Sequence, residues 1–130
     1  MDAEPKEQDD ACKVWILGNS PDVVERIRER ERRLNVFFSS LMMNFDFSGG
    51  TGIEILAEVR PISGALGDGL TLHADVFDDD GVLVATELGY IKAIEEGWFK
   101  VCEIRFYDLP VGQFGVAKVR LRFEREIDLD

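Results

Sequence analysis

The chain has 130 residues, of which 45% are hydrophobic and 32% are charged, and its formal net charge is −11. This length predicts one domain whose core needs neither disulfides nor metal, and this composition excludes a disordered protein. The negative charge repels phosphate backbones and argues against general nucleic-acid binding.

The N-terminal segment and the two cysteines predict the compartment. Residues 1–11 are acidic and polar, which predicts a disordered tail before a single domain over 12–130. The chain shows neither the basic and apolar stretches of a signal peptide nor an apolar run long enough to span a membrane. Cys12 and Cys102 are too few for a disulfide scaffold, so we expect free thiols in a cytoplasmic protein.

A helix is predicted near 21–34, after a short strand at 13–17. Ser20 is a favoured N-cap residue, and Pro21 needs no hydrogen-bond acceptor at the first helical position. A strand is the alternative, because arginines at every second position from Arg26 alternate with other residues. Long charged side chains are good helix formers, which favours the helix.

Residues 35–47 are compatible with two structures. Their apolar residues fit a helical stripe that would continue the preceding helix. The sequence FDFSGGTGIEI, however, has two apolar-rich arms around residues 48–51, which is typical of a hairpin. We therefore predict a strand over 35–47.

From Gly52 onward, short segments of alternating apolar and polar residues are separated by turn signals. Such spacing indicates antiparallel strands in a sandwich or barrel. The segments are 53–60, 70–77, 82–91, 98–109 and 116–124. In the last of them the residues expected to face the core are Ala117, Val119, Leu121 and Phe123.

The segment LHADVFDDDGVLVAT places Asp78, Asp79 and Asp80 directly before Gly81. Clustered carboxylates are ligands that calcium prefers, so a calcium site is one interpretation. Consecutive side chains of an extended segment point in opposite directions, however, and cannot all reach one ion. A turn needs aspartates that bond to their own backbone, followed by a glycine with positive φ. We therefore predict a hairpin turn, to which a second loop would have to add ligands to form a metal site.

The remaining reactive residues predict no catalytic site and no cofactor. His73 is the only histidine and lies on the polar face of its strand, so histidine-based metal sites and triads have one member at most. Cys102 lies among apolar strand residues, which predicts a buried, inert thiol. We expect the protein not to be an enzyme.

Two features predict contact surfaces. Lys118, Arg120 and Arg122 form a basic stripe, which either pairs with acids of a neighbouring strand or docks an acidic partner. Trp98 and Phe99 are adjacent, so in a strand one of them points outward and offers an aromatic contact. The alternative, which an ample core favours, is that the pair packs in the core or is shielded by the N-terminal helix.

The sequences ADVFDDDGVLVAT and EEGWFKVCEIRF resemble those of FxLyD domains, which are small bacterial sandwich domains. The shared pattern is an aromatic–Asp–x–Asp–Gly turn, a β-branched pair after it, and later a glycine and an aromatic residue that lead into the next strand. The resemblance covers about residues 52–124. It implies a seven-strand immunoglobulin-like fold of unassigned function, commonly on exported proteins, and brings no catalytic residues. The helix and the missing leader depart from that family's pattern.

Together these observations predict an α+β fold dominated by an antiparallel, immunoglobulin-like β-sandwich of about seven strands. One N-terminal helix is expected to cover an edge or an end. The expected function is binding or assembly through a sheet edge or an exposed face, with a protein partner or a second copy of the chain in a homodimer. The alternatives are a small-ligand carrier or enzyme with an apolar pocket inside the sandwich, and a calcium-dependent module.

Overall fold

The computed structural model of the chain describes residues 13–17, 23–46, 50–111 and 115–125. The predicted tail at 1–11 and Cys12 lie outside these ranges. The described residues form one helix, α1 (Arg28–Arg33), and eight strands, rather than about seven. The strands are β1 (Lys13–Leu17), β2 (Val24–Arg26), β3 (Val36–Asp46), β4 (Gly52–Pro61), β5 (Leu70–Phe77), β6 (Leu83–Ile91), β7 (Lys100–Phe106) and β8 (Lys118–Arg125).

The strands form two four-stranded sheets, which confirms the predicted β-dominated sandwich. Sheet 1 has the order β1-β3-β4-β7 and sheet 2 the order β2-β8-β5-β6. Neighbouring strands are antiparallel except at two N-terminal additions, where β1 runs parallel to β3 and β2 runs parallel to β8. The strand predicted over 35–47 is present as β3 and forms the expected hairpin with β4.

The core lies between the sheets and follows the predicted alternation. Every second residue of β4, from Ile53 to Val59, is buried, and the same holds for β8 from Val119 to Phe123. The rings of Phe38 and Phe123 join the two sheets, with centroids 4.7 Å apart. Ala117, which was expected to face the core, precedes β8 and is exposed.

The predicted helix near 21–34 is wrong in its first half, because Val24–Arg26 form strand β2. Pairing with β8 explains the difference: Glu25 lies beside Arg120 in the register, and its carboxylate accepts a hydrogen bond of 2.9 Å from Arg120 Nε. The helix begins at Arg28, after Ile27, and no side chain caps it. Ser20 and Pro21, which carried the predicted start signal, lie outside the described residues.

The helix α1 covers one end of the sandwich, next to β3 and β8. Glu31 is its one buried residue and forms a two-point ion pair with Arg26, at 2.7 and 3.1 Å. The helix ends at Arg33, Leu34 is its C-cap, and Asn35 after it has a positive φ of 63°. No helix among the described residues is both long and apolar enough to cross a membrane.

Candidate functional site: the open edge of sheet 2

The three aspartates lie in a hairpin turn between β5 and β6, as predicted. Asp78 N donates to Val82 O at 3.0 Å, and Gly81 has a positive φ of 78°. Asp78 Oδ1 accepts hydrogen bonds of 2.9 Å from the backbone N–H groups of Asp80 and Val82. The carboxylate of Asp78 therefore stabilises the turn. Across the described part of the chain, no three His, Cys, Asp or Glu residues meet in a group that could hold a metal ion.

The basic stripe of β8 lies on the outer face of sheet 2 and is paired with acids of its neighbouring strands. Glu25 of β2 contacts Arg120 at 2.9 Å and Lys118 at 3.5 Å. The hydrogen bond from Arg120 is the main reason why the pKa of Glu25 lies below its usual value. On the other side, Arg122 Nε donates to Asp75 Oδ2 at 2.9 Å.

Asp75 is the charged residue at the centre of that outer face, and its exposed fraction is only 4%. Its second oxygen accepts a hydrogen bond of 3.0 Å from Thr86 Oγ1 of β6. The hydrogen bond with Asp75 is the leading cause of a raised pKa for Arg122. Glu25 and Asp75 are thus the acidic partners of the basic stripe, which the sequence alone did not identify.

Among the described residues, neither His73 nor Cys102 belongs to a group of three His, Cys, Asp or Glu side chains that could hold a metal ion. His73 lies on the outer face of sheet 2, where its Nε2 is 3.1 Å from Thr71 Oγ1 and 3.9 Å from Glu124 Oε1. Cys102 is a buried free thiol in β7, as predicted, and burial raises its pKa to about 11. A thiol with that pKa is a poor nucleophile at neutral pH.

Trp98 and Phe99 precede β7 rather than lying within it, and both are exposed, by 63% and 41%. The guanidinium of Arg60 lies over the ring of Phe99, 5.0 Å from its centroid. Both aromatic residues line a shallow depression of about 300 Å³ with Ala93, Glu95 and Lys100. Of the two, Trp98 therefore presents the more accessible contact surface.

Strand β6 was predicted as the segment 82–91, but its position at the edge of sheet 2 was not. It pairs with β5 on one side, and no described strand pairs with its other side. Only Ile91 is buried among its nine residues. Leu88 lies beside His73 and Tyr90 beside Thr71, so both point to the outer face, where they are exposed by 41% and 71%.

The direction of the backbone polar groups of β6 follows from a hydrogen bond at the end of β5. Ala117 N donates to Phe77 O at 2.9 Å, so the polar groups of Phe77 face β8. Because these groups alternate along an antiparallel strand, those of the preceding residue, Val76, face β6. Continuing the alternation through the register, the β6 residues that bond to β5 are Ala85, Glu87 and Gly89. The N–H and C=O groups that point away from the sheet belong to Thr86, Leu88 and Tyr90.

The opposite sheet covers the core-facing side of β6 but not its edge. A Cβ atom on Gly89 would lie 2.5 Å from Sγ of Cys102 in β7. A Cβ bond projects from the face of a sheet, so β7 packs against the inner face of β6 at this point. The lateral edge of β6, where its free polar groups point, is therefore not blocked by β7.

Two other sheet edges have the features that protect edges from pairing. Edge strands are commonly kept short or given charged side chains. Strand β2 has three residues, and β7 exposes Lys100, Glu103 and Arg105. Strand β6 has nine residues and a single charged residue, Glu87. Among the edge strands whose side chains the structure describes, β6 is thus the longest, and its edge is open and partly apolar.

No protein-family model matches the chain, and a search of curated proteins gives no match either. The resemblance to FxLyD domains stays a prediction.

Proposed function

We propose that the chain is a non-enzymatic binding module that joins another protein through the open edge of β6. The single observation that carries this proposal is that backbone polar groups of Thr86, Leu88 and Tyr90 point outward on the same strand that exposes the apolar side chains of Leu88 and Tyr90. An extended segment of a partner can add to such an edge by main-chain hydrogen bonds and bury the apolar side chains at the same time. Such binding is favoured at β6 because this edge of sheet 2 is less protected against strand pairing than the edge at β2.

An aromatic side chain on the edge strand supports the same proposal. Tyr90 is of a residue type that often dominates interface energetics. The side chain of Tyr90 is 71% exposed, so a partner on the β6 edge would bury apolar surface there.

We also propose an immunoglobulin-like connectivity for the sandwich. The consecutive strands β3 to β8 give β3-β4-β7 in one sheet and β6-β5-β8 in the other. This is the order of strands A-B-E and C′-C-F in the immunoglobulin fold. Strand β2, parallel to β8, takes the place next to F that strand G occupies in that fold. A crystal structure in which β3, β4 and β7 do not share a sheet would contradict this assignment.

A reducing compartment, the cytoplasm, fits the free thiol of Cys102 in the core. Cell fractionation tests this part of the proposal, and recovery of the chain outside the cytoplasm would contradict it.

Site-specific photocrosslinking in the source cells tests the proposed binding surface. A photoreactive amino acid is placed at Leu88 on the β6 edge and, in a control variant, at Ile62, which is exposed on a loop and belongs to no sheet edge. We expect the Leu88 variant to form a crosslink with one defined protein, identified by mass spectrometry, and the Ile62 variant to form none.

A proline at the same position separates edge pairing from side-chain contact. Leu88→Pro removes an outward N–H without breaking a bond to β5, whereas Leu88→Ala removes only the side chain. With the photoreactive residue at Tyr90, we expect Leu88→Pro to abolish the crosslink and Leu88→Ala to reduce it. Crosslinks that are equally strong at Ile62, or that survive Leu88→Pro unchanged, would contradict the proposal.

A further inference from the structure

We infer that the segment that adds to β6 is a cationic strand of another protein, with basic residues alternating with apolar ones. This inference rests on the proposed function and adds the chemistry of the partner to it. Three observations carry it: the charge around the edge, the side of the sheet on which each β6 side chain lies, and the net charge of the chain.

The β5–β6 hairpin, which contains the edge strand, has acidic residues but no basic ones. Residues 69–91 contain no lysine and no arginine, but they contain Asp75, the three turn aspartates and Glu87. Asp75 is already paired with Arg122. Glu87 is exposed and has no ion pair among the described residues. The edge therefore offers negative charge that sheet 2 itself does not neutralise, which favours a cationic partner.

The register of β5 and β6 predicts which partner residues would meet which side chains. Leu88 and Tyr90 lie on the outer face, whereas Glu87 pairs with the buried Ala74 and so projects on the core side of the edge. Side chains of directly opposed residues lie on the same face of a sheet and interact. A partner strand would thus place apolar residues opposite Leu88 and Tyr90 and a basic residue opposite Glu87. Its end near the turn would lie close to the exposed Asp79 and Asp80.

A second copy of the chain fits this edge less well. Two chains of net charge −11 repel each other. In an antiparallel pair of β6 strands centred on Glu87, the two Glu87 carboxylates would also lie directly opposite, which is destabilising. The acidic N-terminal residues 1–10 have the same sign of charge and are excluded as the occupant for the same reason.

Binding of synthetic peptides to the full chain tests the inference. The probe is a fluorescent nine-residue peptide of alternating valine and lysine, as long as β6. The control peptide replaces every lysine by glutamate. Fluorescence anisotropy at about 50 mM and about 300 mM salt measures affinity and its screening. We expect the lysine peptide to bind at low salt, to bind more weakly at high salt, and the glutamate peptide not to bind.

Protein variants then place the peptide on the edge. We expect Glu87→Lys to weaken binding of the lysine peptide by about fivefold, as for an ion pair at a surface that is reversed in sign. Glu29→Lys makes the same charge change on the exposed face of α1 and should weaken binding by less than about twofold. Leu88→Pro should abolish binding, while circular dichroism confirms that the variant is folded.

The outcomes distinguish the inference from the proposed function. Equal binding of the lysine and glutamate peptides would overturn the cationic partner but leave the binding edge standing. Equal effects of Glu87→Lys and Glu29→Lys, with no effect of Leu88→Pro, would show general attraction to an acidic protein and overturn the inference. If neither peptide binds, the inference of a cationic partner is overturned as well. The proposed function would be overturned only if crosslinks at Leu88 were also absent. A dimer seen by light scattering and lost in Leu88→Pro would assign the edge to a second copy instead.

Discussion

Gly89 determines how closely the edge strand β6 approaches β7, so we expect Gly89→Ala to destabilise the fold. The new Cβ would lie 2.5 Å from Cys102 Sγ, 3.4 Å from Ile104 Cγ1 and 3.5 Å from Glu103 O. Unstrained contacts between such atoms are about 3.5–4.0 Å, so the methyl group would overlap the sulfur by about 1 Å. Cys102 is buried, so its sulfur has no solvent to move into, and either its side chain must take another rotamer in the packed core or β6 must shift outward.

The expected size of the effect combines two opposing terms. Overpacking of a well-packed site costs about 1–3 kcal/mol. Replacing glycine by alanine also restricts the unfolded chain, which returns about 0.4–1 kcal/mol. The free energy of unfolding should therefore fall by about 1–2 kcal/mol. Urea unfolding followed by tryptophan fluorescence measures this change, because the chain contains two tryptophans.

Removing the sulfur shows whether the clash is the cause. Cys102→Ala alone should cost about 1 kcal/mol, since it deletes one buried atom. In the double variant the alanine methyl of residue 89 occupies the space left by Sγ, so the two losses should not add. We expect a favourable coupling energy of about 1–2 kcal/mol between the substitutions. Strictly additive losses would refute the close approach of β6 and β7 at Gly89.

Three further predictions concern the charged residues and the thiol. Glu31→Gln removes one partner of the buried ion pair with Arg26 and should lower the free energy of unfolding by about 3 kcal/mol. The control Glu29→Gln, on the exposed side of α1, should lower it by less than about 1 kcal/mol. Equal losses in urea unfolding would contradict this prediction. Because burial raises the pKa of Cys102 to about 11, iodoacetamide at about pH 8 should label this thiol only after unfolding. Peptide mapping that finds Cys102 labelled in the native protein would contradict its burial. The pKa of Glu25 is lowered in the folded state, mainly by its hydrogen bond from Arg120, so its contribution to stability is present above its ordinary pKa of 4.5 and is lost as the pH falls through the folded value. The stability difference between the chain and Glu25→Gln, below about 1 kcal/mol, should therefore shrink as the pH is lowered below 4.5, and a constant difference would contradict this.

The parts of the fold that the sequence predicted are those set by local patterns. The alternation in β4, β5 and β8 identified which side chains face the core, because the period of a strand is fixed by its backbone. The turn at Asp78 was predictable for the same reason, since its bonds join residues at most four positions apart. Local geometry alone decides both features.

The helix boundary and the partners of the basic stripe depend on residues far away in the sequence. Arg120 and Glu25 are 95 positions apart, and Arg122 and Asp75 are 47 apart. Pairing of β2 with β8 replaced the predicted first turns of the helix, because tertiary contacts override a weak local preference. The sequence showed that the stripe needs acidic partners but not which acids would supply them.

The open edge could not be predicted, because being an edge is a property of strand order rather than of a strand. A sign of it is nevertheless present in β6. Its core-side positions in the register are Ala85, Glu87, Gly89 and Ile91, of which only Ile91 is a large apolar residue, while Leu88 and Tyr90 lie on the solvent side. In β8, by contrast, Val119, Leu121 and Phe123 all face the core. Such conflicts between pattern and burial are expected where a surface serves binding.

Glu87 explains how the chain can have an open, partly apolar sheet edge without aggregating through it. A charge on the core side of an edge strand opposes pairing with an identical strand, which is one of the ways in which natural sheets avoid edge-to-edge association. The same charge does not oppose a strand that brings a lysine or an arginine to that position. A single carboxylate can thus disfavour self-association and favour a cationic partner, because both effects depend only on the sign of the charge opposite it.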